Sequence, residues 1–323
     1  MSELGLGLQT NKPVGAYAAI AREADAAGFA VVTTFNDLWF QPALPALLEI
    51  AGATQRARVG PTCLNPFTVH PVEIAGQIAA LDRASHGRAF LGLAAGAWLD
   101  SLGLDTSAPV TAIGDAWAIV ARLLAGDDSG YDGRRFSLPR GERLRYEVER
   151  AEVPLLVGTW APQLTAFAGE HARELKLGGT ANPELVAVAR DRLGTDDVGI
   201  VLGAVTVVDE DGDRARALAR AEVAMYIDVV GALDPTCDLD PELLRRIGER
   251  VAAHDHAGAG AQIPDDVLRR FAFAGTPRDV AAQAAAIFDA GALRVDFGTP
   301  HGIDERHGVE LLCREVLPLL RVS

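Results

Sequence analysis

The chain has 323 residues, of which 49% are hydrophobic and 23% are charged, so it can bury a large core within one domain. Its formal net charge of −14 argues against a nucleic-acid partner, because such proteins present a basic surface. No apolar stretch reaches the length of a membrane span and no basic-then-apolar leader opens the sequence, so we expect a cytoplasmic protein with no membrane partner.

Short apolar runs alternate with longer segments of helical periodicity along the whole chain. The runs predict eight β-strands, at residues 4–9, 29–35, 59–64, 88–95, 153–158, 175–178, 198–208 and 293–298. The helical spacing predicts ten helices, at residues 14–27, 42–54, 70–84, 111–124, 163–171, 183–193, 213–227, 242–254, 277–290 and 309–320. Residues 126–152 break the pattern, as do the segments on both sides of the helix at 242–254, and they predict two insertions, at about 126–152 and 237–264. The first insertion is expected to contain a small hairpin around residues 131–138.

The alternation of strand and helix predicts the fold class. Eight strands each followed by a helix, with no Pro-, Gly- or Ser-rich linker between them, indicate one α/β domain over residues 1–323, a (β/α)₈ TIM barrel with insertions. An open doubly wound sheet is the competing fold, but the first strand–helix turn, Gln9 to Pro13, lacks the glycine-rich fingerprint of that fold. In a barrel, the active site lies at the carboxyl ends of the strands.

The predicted strand ends indicate which chemistry the site supports. They contain no HExxH ligand set, no GxSxG elbow and few carboxylates, so hydrolysis is disfavoured. The turns at Gly158–Ala161 and Gly178–Gly179 are small and glycine-rich, and each leads into a predicted helix. Backbone N–H groups at the start of a helix can hold a phosphate. Glycine at such turns often serves only the backbone geometry, but two neighbouring turns of this kind suggest a cofactor that carries a phosphate.

Metal and disulfide sites are not predicted. Cys63, Cys237 and Cys313 are widely spaced, odd in number and lack a CxxC pair, which indicates reduced thiols. His254 and His256 are two residues apart, a spacing that does not place them on one helix face.

The segment GPTCLNPFTVHPVEIAGQIAALDRASHGRAFLGLAAG, which starts at Gly60, resembles the luciferase-like monooxygenase superfamily, in particular the branch related to methylenetetrahydromethanopterin reductases that use coenzyme F420. The similarity extends to VPLLVGTWAPQLTAFAGEHA, to Gly275-Thr276-Pro277 and to AGALRVDFGTP, and so covers nearly the whole chain. It implies a barrel of the bacterial luciferase-like type, commonly a homodimer, with F420 or FMN over the strand ends.

The resemblance also implies a bulge in the third strand, with a non-prolyl cis peptide at Thr62-Cys63 against the cofactor ring. Cys63 is expected to be a compact buried side chain and not a nucleophile, because no histidine stands near it in the motif. The cofactor-binding residues that we predict are Asn36, Thr62, Cys63, Asn65, Ala94, Ala95, Gly96, Gly158, Thr159, Trp160, Ala161, Gly178 and Gly179. Asp37, the one carboxylate predicted near the ring, is the candidate catalytic proton shuttle, with a solvated surface carboxylate as the competing interpretation.

Three strand ends depart from the pattern of this branch. The second strand ends in Asn36-Asp37, where many relatives have an acidic residue followed by histidine, and the first ends in Gln9, where the reductases have glutamate. A neutral amide hydrogen-bonds but cannot serve as a general acid or base. The fourth strand ends in Ala94 to Ala97 instead of a glycine and acidic pattern. These departures argue against the pterin-reducing activity itself.

The sequence therefore predicts an F420-dependent oxidoreductase that transfers a hydride between the deazaflavin and a small organic substrate. An FMN-dependent luciferase-like monooxygenase is the first alternative, and a barrel that has lost catalysis and acts as a binding protein is the second. His301 is a candidate substrate contact. The aromatic residues expected to line a substrate pocket are Phe35, Trp39, Phe40, Trp98 and Trp160.

Overall fold

The computed structural model describes residues 2–97 and 99–321. Its strands are β1 (Glu3–Leu8), β2 (Val31–Thr34), β3 (Arg58–Pro61), β4 (Leu91–Ala94), β5 (Tyr131–Asp132), β6 (Ser137–Leu138), β7 (Leu155–Gly158), β8 (Glu174–Gly178), β9 (Gly199–Val208), β10 (Ala272–Gly275) and β11 (Arg294–His301). Its helices are α1 (Ala16–Ala27), α2 (Ala43–Ala53), α3 (Pro71–Ala84), α4 (Pro109–Ala125), α5 (Pro162–His171), α6 (Glu184–Leu193), α7 (Gly212–Ala224), α8 (Ile227–Gly231), α9 (Pro241–Ala252), α10 (His256–Gly260), α11 (Asp265–Phe271), α12 (Pro277–Asp289), α13 (Glu305–Leu311) and α14 (Leu317–Arg321). A 3₁₀ turn at Leu99–Leu102 and a π-helical turn at Leu312–Val316 complete the elements.

Eight parallel strands form a closed barrel, as the sequence predicts. They follow the order β3-β2-β1-β11-β9-β8-β7-β4, and parallel bridges between Val59 and Ala89 and between Leu64 and Leu93 join β3 to β4. Parallel strands covered by helices are buried on both faces, which is why they read as continuous apolar runs in the sequence. The TIM-barrel prediction is confirmed.

Local signals in the sequence set the ends of several helices. The αL residue Gly28 ends α1, and His70 caps α3 through its ring nitrogen, which accepts a hydrogen bond from the amide of Val72. Thr276 and Asp279 form a capping box at the start of α12, directly after the predicted Gly-Thr-Pro turn. These short-range interactions explain why the predicted helix ends lie close to the observed ones.

The two insertions differ in how well the sequence predicts them. The hairpin of the first insertion is confirmed, because β5 and β6 pair antiparallel with Tyr131 opposite Leu138. In and around the second insertion the structure adds α8, α10, α11 and β10, which the sequence pattern does not predict. Helix α10 lies within residues 237–264, α8 precedes them, and α11 and β10 follow them. Strand β10 pairs with the second half of β9, beyond the residues that pair with β8. The segment that follows the insertion is therefore hydrogen-bonded into the barrel sheet, and the insertion packs with α7 and α11 around a second apolar core.

Candidate active site

The carboxyl ends of β1 and β2 bring together two residues that the sequence nominates separately. The side-chain Nε2 of Gln9 donates to Oδ2 of Asp37 at 2.8 Å, and Oε1 of Gln9 accepts from the amide of Thr10 at 2.8 Å. The amide plane of Gln9 is thus fixed with its donor facing the half-buried carboxyl of Asp37. Burial raises the pKa of Asp37, and the hydrogen bond from Gln9 opposes that rise only in part.

The end of β3 contains the bulge that the resemblance implies. The Thr62-Cys63 peptide is cis, as expected. Between the two bridges to β4, the β3 side contains one residue more than the β4 side, which is the definition of a bulge. The hydroxyl of Thr33, on the neighbouring strand β2, hydrogen-bonds with that of Thr62, with 3.1 Å between the two Oγ1 atoms.

The thiol of Cys63 packs against glycines on two neighbouring strands. A Cβ atom added to Gly92 would lie 3.2 Å from Sγ of Cys63, and one added to Gly158 would lie 2.8 Å from it. Both strands therefore need glycine where the bulge approaches them. Burial raises the pKa of Cys63 to about 12, so the thiol stays protonated at neutral pH. This agrees with the expectation of a compact packing residue.

The two glycine-rich turns lie side by side, and the indole Nε1 of Trp160 donates to the carbonyl of Gly178 at 3.0 Å. The turns differ in how their amides are used. The amides of Gly179 and Thr180 both donate to the carbonyl of Gly203, at 2.7 and 3.1 Å. In the first turn the amide of Thr159 donates to the carbonyl of Lys176 at 3.1 Å, and that of Ala161 to Oγ1 of Thr159 at 3.0 Å. The first turn differs in leading directly into α5, which begins at Pro162 without a side-chain cap, so the amides that follow Pro162 make it the better geometric candidate for holding a phosphate.

Asn36 and Asn65 each use their side-chain oxygen within the protein. Oδ1 of Asn36 accepts from the amide of Ala43 at 3.2 Å, at the start of α2. Oδ1 of the buried Asn65 accepts from the amide and the hydroxyl of Thr68, at 2.9 and 3.0 Å, and so closes the turn after the bulge. Beside it, Gly96 has φ +83°, and an added Cβ would lie 3.2 Å from the Asn65 side chain. The predicted residues Ala94 and Ala95 precede this glycine, at the end of β4.

The predicted aromatic pocket is spread around the mouth of the barrel. Trp39, with φ +71°, is 81% exposed, and Phe40 is 46% exposed. Phe35 and Trp160 are half-buried, and Trp98 lies outside the described residues. His301 is fully buried, with Nδ1 3.6 Å from Oε1 of Glu305.

Residues 1–294 match the sequence profile of the family described as Luciferase-like monooxygenase. The chain belongs to this family. A similar protein is the 5,10-methylenetetrahydromethanopterin reductase of Methanopyrus kandleri, which is 28% identical over 291 residues that cover 82% of this chain and 83% of that protein. The resemblance that the sequence motifs suggest is thereby confirmed.

Two solved structures show the same luciferase-like fold. The coenzyme F420 dependent tetrahydromethanopterin reductase from Methanopyrus kandleri superimposes with a TM-score of 0.89 at 24% identity, covering 98% of this chain and 99% of that one. An F420-dependent secondary alcohol dehydrogenase in complex with an F420-acetone adduct superimposes with a TM-score of 0.76 at 18% identity, covering 99% of both chains.

The luciferase-like barrel of this chain also contains a connected set of six charges, four of them buried, that the sequence does not predict. Three acidic and three basic side chains line the lumen below the bulge. We call these six residues the charge column: Glu3, Arg58, Glu174, Arg294, Asp296 and Lys176. In its lower part, Nη1 of Arg58 lies 2.7 Å from Oε1 of Glu174, Nη1 of Arg294 lies 2.6 Å from Oε2 of Glu174, and Arg58 also pairs with Glu3.

The upper part of the charge column is almost fully buried. The carboxylate of Asp296 accepts hydrogen bonds from Nε of Arg294 at 2.7 Å and from Nζ of Lys176 at 2.6 Å. Burial alone would raise the pKa of Asp296, but these two cations lower it to about 2. Glycines on the adjacent strands leave room for these side chains, since an added Cβ would lie 2.0 Å from Oδ1 of Asp296 at Gly5 and 3.2 Å from Cε of Lys176 at Gly203. The sequence does contain a signal for this column: a charged residue inside a predicted buried strand, opposite glycines on the two adjacent strands.

The other lysine of the chain, Lys12, is also buried and paired. Nζ of Lys12, in the loop after β1, lies 2.7 Å from Oε1 of Glu305, which also faces His301. Neither Lys12 nor Glu305 is nominated by the sequence pattern. Among residues 2–97 and 99–321, no group of three or more metal-ligating side chains is found, and no helix is long and apolar enough to cross a membrane.

Proposed function

We propose that this luciferase-like protein is an F420-dependent oxidoreductase that transfers a hydride between the deazaflavin and a small organic substrate. The observation that carries the proposal is the meeting, at one end of the barrel, of the Thr62-Cys63 bulge with a half-buried carboxyl, Asp37, whose pKa is raised. The similar proteins named above, a methylenetetrahydromethanopterin reductase and two F420-dependent enzymes, support the reaction class and the cofactor.

Two features of the mouth support a bound cofactor that carries a phosphate. Gly178 is exposed, and a Cβ added to it would meet no atom within 4 Å, so the space beside the Trp160 indole is open. The uncapped start of α5 offers backbone amides to an anion on the same side. The thirteen cofactor-binding residues predicted from the sequence remain part of this proposal, with the Gly158–Ala161 turn as its phosphate site.

The bound F420 supplies the hydride chemistry, and the chain supplies orientation and proton handling. When a substrate loses a hydride from carbon, the proton on its oxygen or nitrogen must go to a base. Asp37 is in the position to take that proton at its carboxylate and to return it in the reverse reaction. Gln9 holds the carboxyl in place through its 2.8 Å hydrogen bond and cannot itself exchange the proton.

We also propose that the chain is a single-domain homodimer of the cytoplasm. The resemblance to a family that is commonly dimeric supports the dimer. Light scattering on the purified protein tests this statement, and a monomer at micromolar concentration would contradict it.

Titration of the purified protein with F420 and with FMN tests the cofactor assignment, because the two bound chromophores have different visible spectra. We expect F420 to bind at micromolar concentration. Binding of FMN alone would support the monooxygenase alternative, and binding of neither would support a barrel without catalysis.

The variant Gly178→Val should fold and bind F420 weakly, because its side chain enters the open mouth. The matched control is Gly52→Val, at the exposed end of α2 on the opposite side of the barrel, where an added Cβ also meets no atom.

A further inference from the structure

We infer that the charge column favours the reduced form of the bound cofactor and that Lys176 is the positioning residue through which it acts. This inference rests on the proposed function, since it concerns the cofactor proposed there. No step of the chemistry passes through the column. It acts only through the electrostatic potential below the bulge.

The column has a direction. Its pairs alternate in sign from the anion Glu3, at the start of β1, to the cation Lys176, two residues from the end of β8. The cationic end is therefore the one nearest the mouth. Nζ of Lys176 lies 6.0 Å from the centre of the Phe35 ring, which follows β2.

The field of Lys176 reaches the bulge. Its positive charge acts to lower the pKa of the Cys63 thiol, against the larger effect of burial. Asp296 acts on the thiol in the opposite sense, but that carboxylate is shared between Lys176 and Arg294. Arg294 is likewise shared between Asp296 and Glu174, so the six charges of the column sum to zero and Lys176 is its positive end.

Stability alone does not account for such a column. The interior of a TIM barrel is usually filled with branched apolar side chains. Replacing a buried ion pair by well-packed apolar residues is often neutral or stabilising, because removing two charges from water costs about as much as their attraction returns. A second role is therefore expected for charges that occupy this position.

That role follows from the charge balance of hydride transfer. When the substrate C–H bond breaks and its two electrons and proton form a new bond on an acceptor, the acceptor gains one negative charge. A fixed cation beneath the site stabilises this state relative to the oxidised one. The effect of one such charge on the ratio of the two binding constants is on the order of tenfold.

Anaerobic titration with oxidised and reduced F420 tests the inference. In Lys176→Gln, which keeps a hydrogen-bond donor to Asp296 but removes the charge, we expect the ratio of the dissociation constants of reduced to oxidised F420 to rise by roughly tenfold over the native ratio. Lys176→Arg should restore the native ratio. The control is Glu3→Gln at the far end of the column, which should change the ratio by less than about twofold. If Lys176→Gln loses the native circular dichroism spectrum, Lys176→Met serves as the charge-free variant.

A second readout needs no cofactor. The rate at which Cys63 reacts with iodoacetamide at alkaline pH, followed by mass spectrometry of its peptide, should fall in Lys176→Gln and not in Glu3→Gln. An unchanged ratio in a folded charge-free variant, while the native protein binds both forms of F420, would overturn the inference alone. If the native protein binds neither form, the proposed function fails and this inference fails with it.

Discussion

The lumen of the barrel contains a buried aspartate and the mouth a half-buried one, and the pKa values of the two are shifted in opposite directions. In the lumen, Asp296 lies between two cations, and its pKa is lowered to about 2. At the mouth, Asp37 has the neutral donor Gln9 as its hydrogen-bond partner, and its pKa is raised by burial. Burial raises the pKa of both carboxyls, so the hydrogen-bond and ion-pair partners decide the direction in which each pKa finally moves.

This difference separates a structural carboxylate from one that can exchange a proton. A carboxyl held ionised by two cations cannot accept a proton near neutral pH. One with a raised pKa and a single neutral donor is closer to doing so. Substitution of aspartate by asparagine, which has nearly the same shape, should therefore have opposite consequences in the two places.

Asp37→Asn should lower the rate of hydride transfer roughly 10²- to 10⁴-fold, because the proton loses its acceptor. The measurement is the single-turnover change in F420 absorbance with a donor substrate found by screening alcohols and reduced pterins. Asp196→Asn, at a side chain that is 95% exposed, is the matched control and should leave the rate unchanged. A native rate in Asp37→Asn would remove Asp37 from the proposed mechanism.

Asp296→Asn should lower the free energy of unfolding by about 3–5 kcal/mol, because Lys176 and Arg294 lose their shared counter-ion inside the barrel. Urea unfolding followed by circular dichroism measures the change. Asp37→Asn is here the matched control, and its unfolding free energy should not fall. Equal losses in the two variants would show that the two regions do not differ as proposed.

Gly158 lies where lumen and mouth meet. Gly158→Ala should lower the free energy of unfolding by about 1–3 kcal/mol, because the new Cβ would lie 2.8 Å from Sγ of Cys63. Cys63→Ala in the same chain should recover part of that loss, which a double-mutant cycle measures. Purely additive losses would argue against the contact.

The pH dependence of stability should also differ between the two carboxyls. The folded pKa of Asp296, about 2, lies below its ordinary value of 3.8, so its contribution is present above pH 4 and is lost as the pH falls towards 2. The pKa of Asp37 is raised, so its contribution is present at low pH and is lost as the pH rises. Urea unfolding as a function of pH should show the acid-side loss disappear in Asp296→Asn and persist in Asp37→Asn.

Gln9→Met should have the smallest effect. It removes a hydrogen bond that lowers the pKa of Asp37, so that pKa should rise further. If the ionised carboxyl is the base, the acid limb of the pH profile of kcat/KM should move to higher pH while the plateau stays within a few-fold of native. An unmoved acid limb would mean that Asp37 does not set it.

The sequence predicts the barrel well because periodicity and turn residues are local signals. Eight apolar runs and the capping residues around His70, Gly28 and Thr276 place the strands and helices to within a few residues. The cis peptide at Thr62-Cys63 follows from the family motif and not from any local pattern. The short elements in and after the second insertion could not be predicted, because segments such as α10 and β10 are too brief to show a period.

The charge column and the Gln9-Asp37 contact were not predicted from the sequence, for a different reason. Lys176 and Asp296 are 120 positions apart in the sequence, and Gln9 and Asp37 are 28 apart. Each residue by itself is a single polar letter in or beside an apolar run. Which of them meet depends on strand register, and that is decided by the closed barrel as a whole.

The burial of both lysines has a practical consequence for anyone who labels this protein. The sequence contains two lysines, Lys12 and Lys176, which are 8% and 7% exposed, whereas arginine supplies the other basic side chains. Amine-directed crosslinkers and fluorophores will therefore find almost no lysine on the folded surface. Modification of Lys176 by such a reagent would instead report that the barrel has opened, which makes amine reactivity a probe of unfolding in this chain.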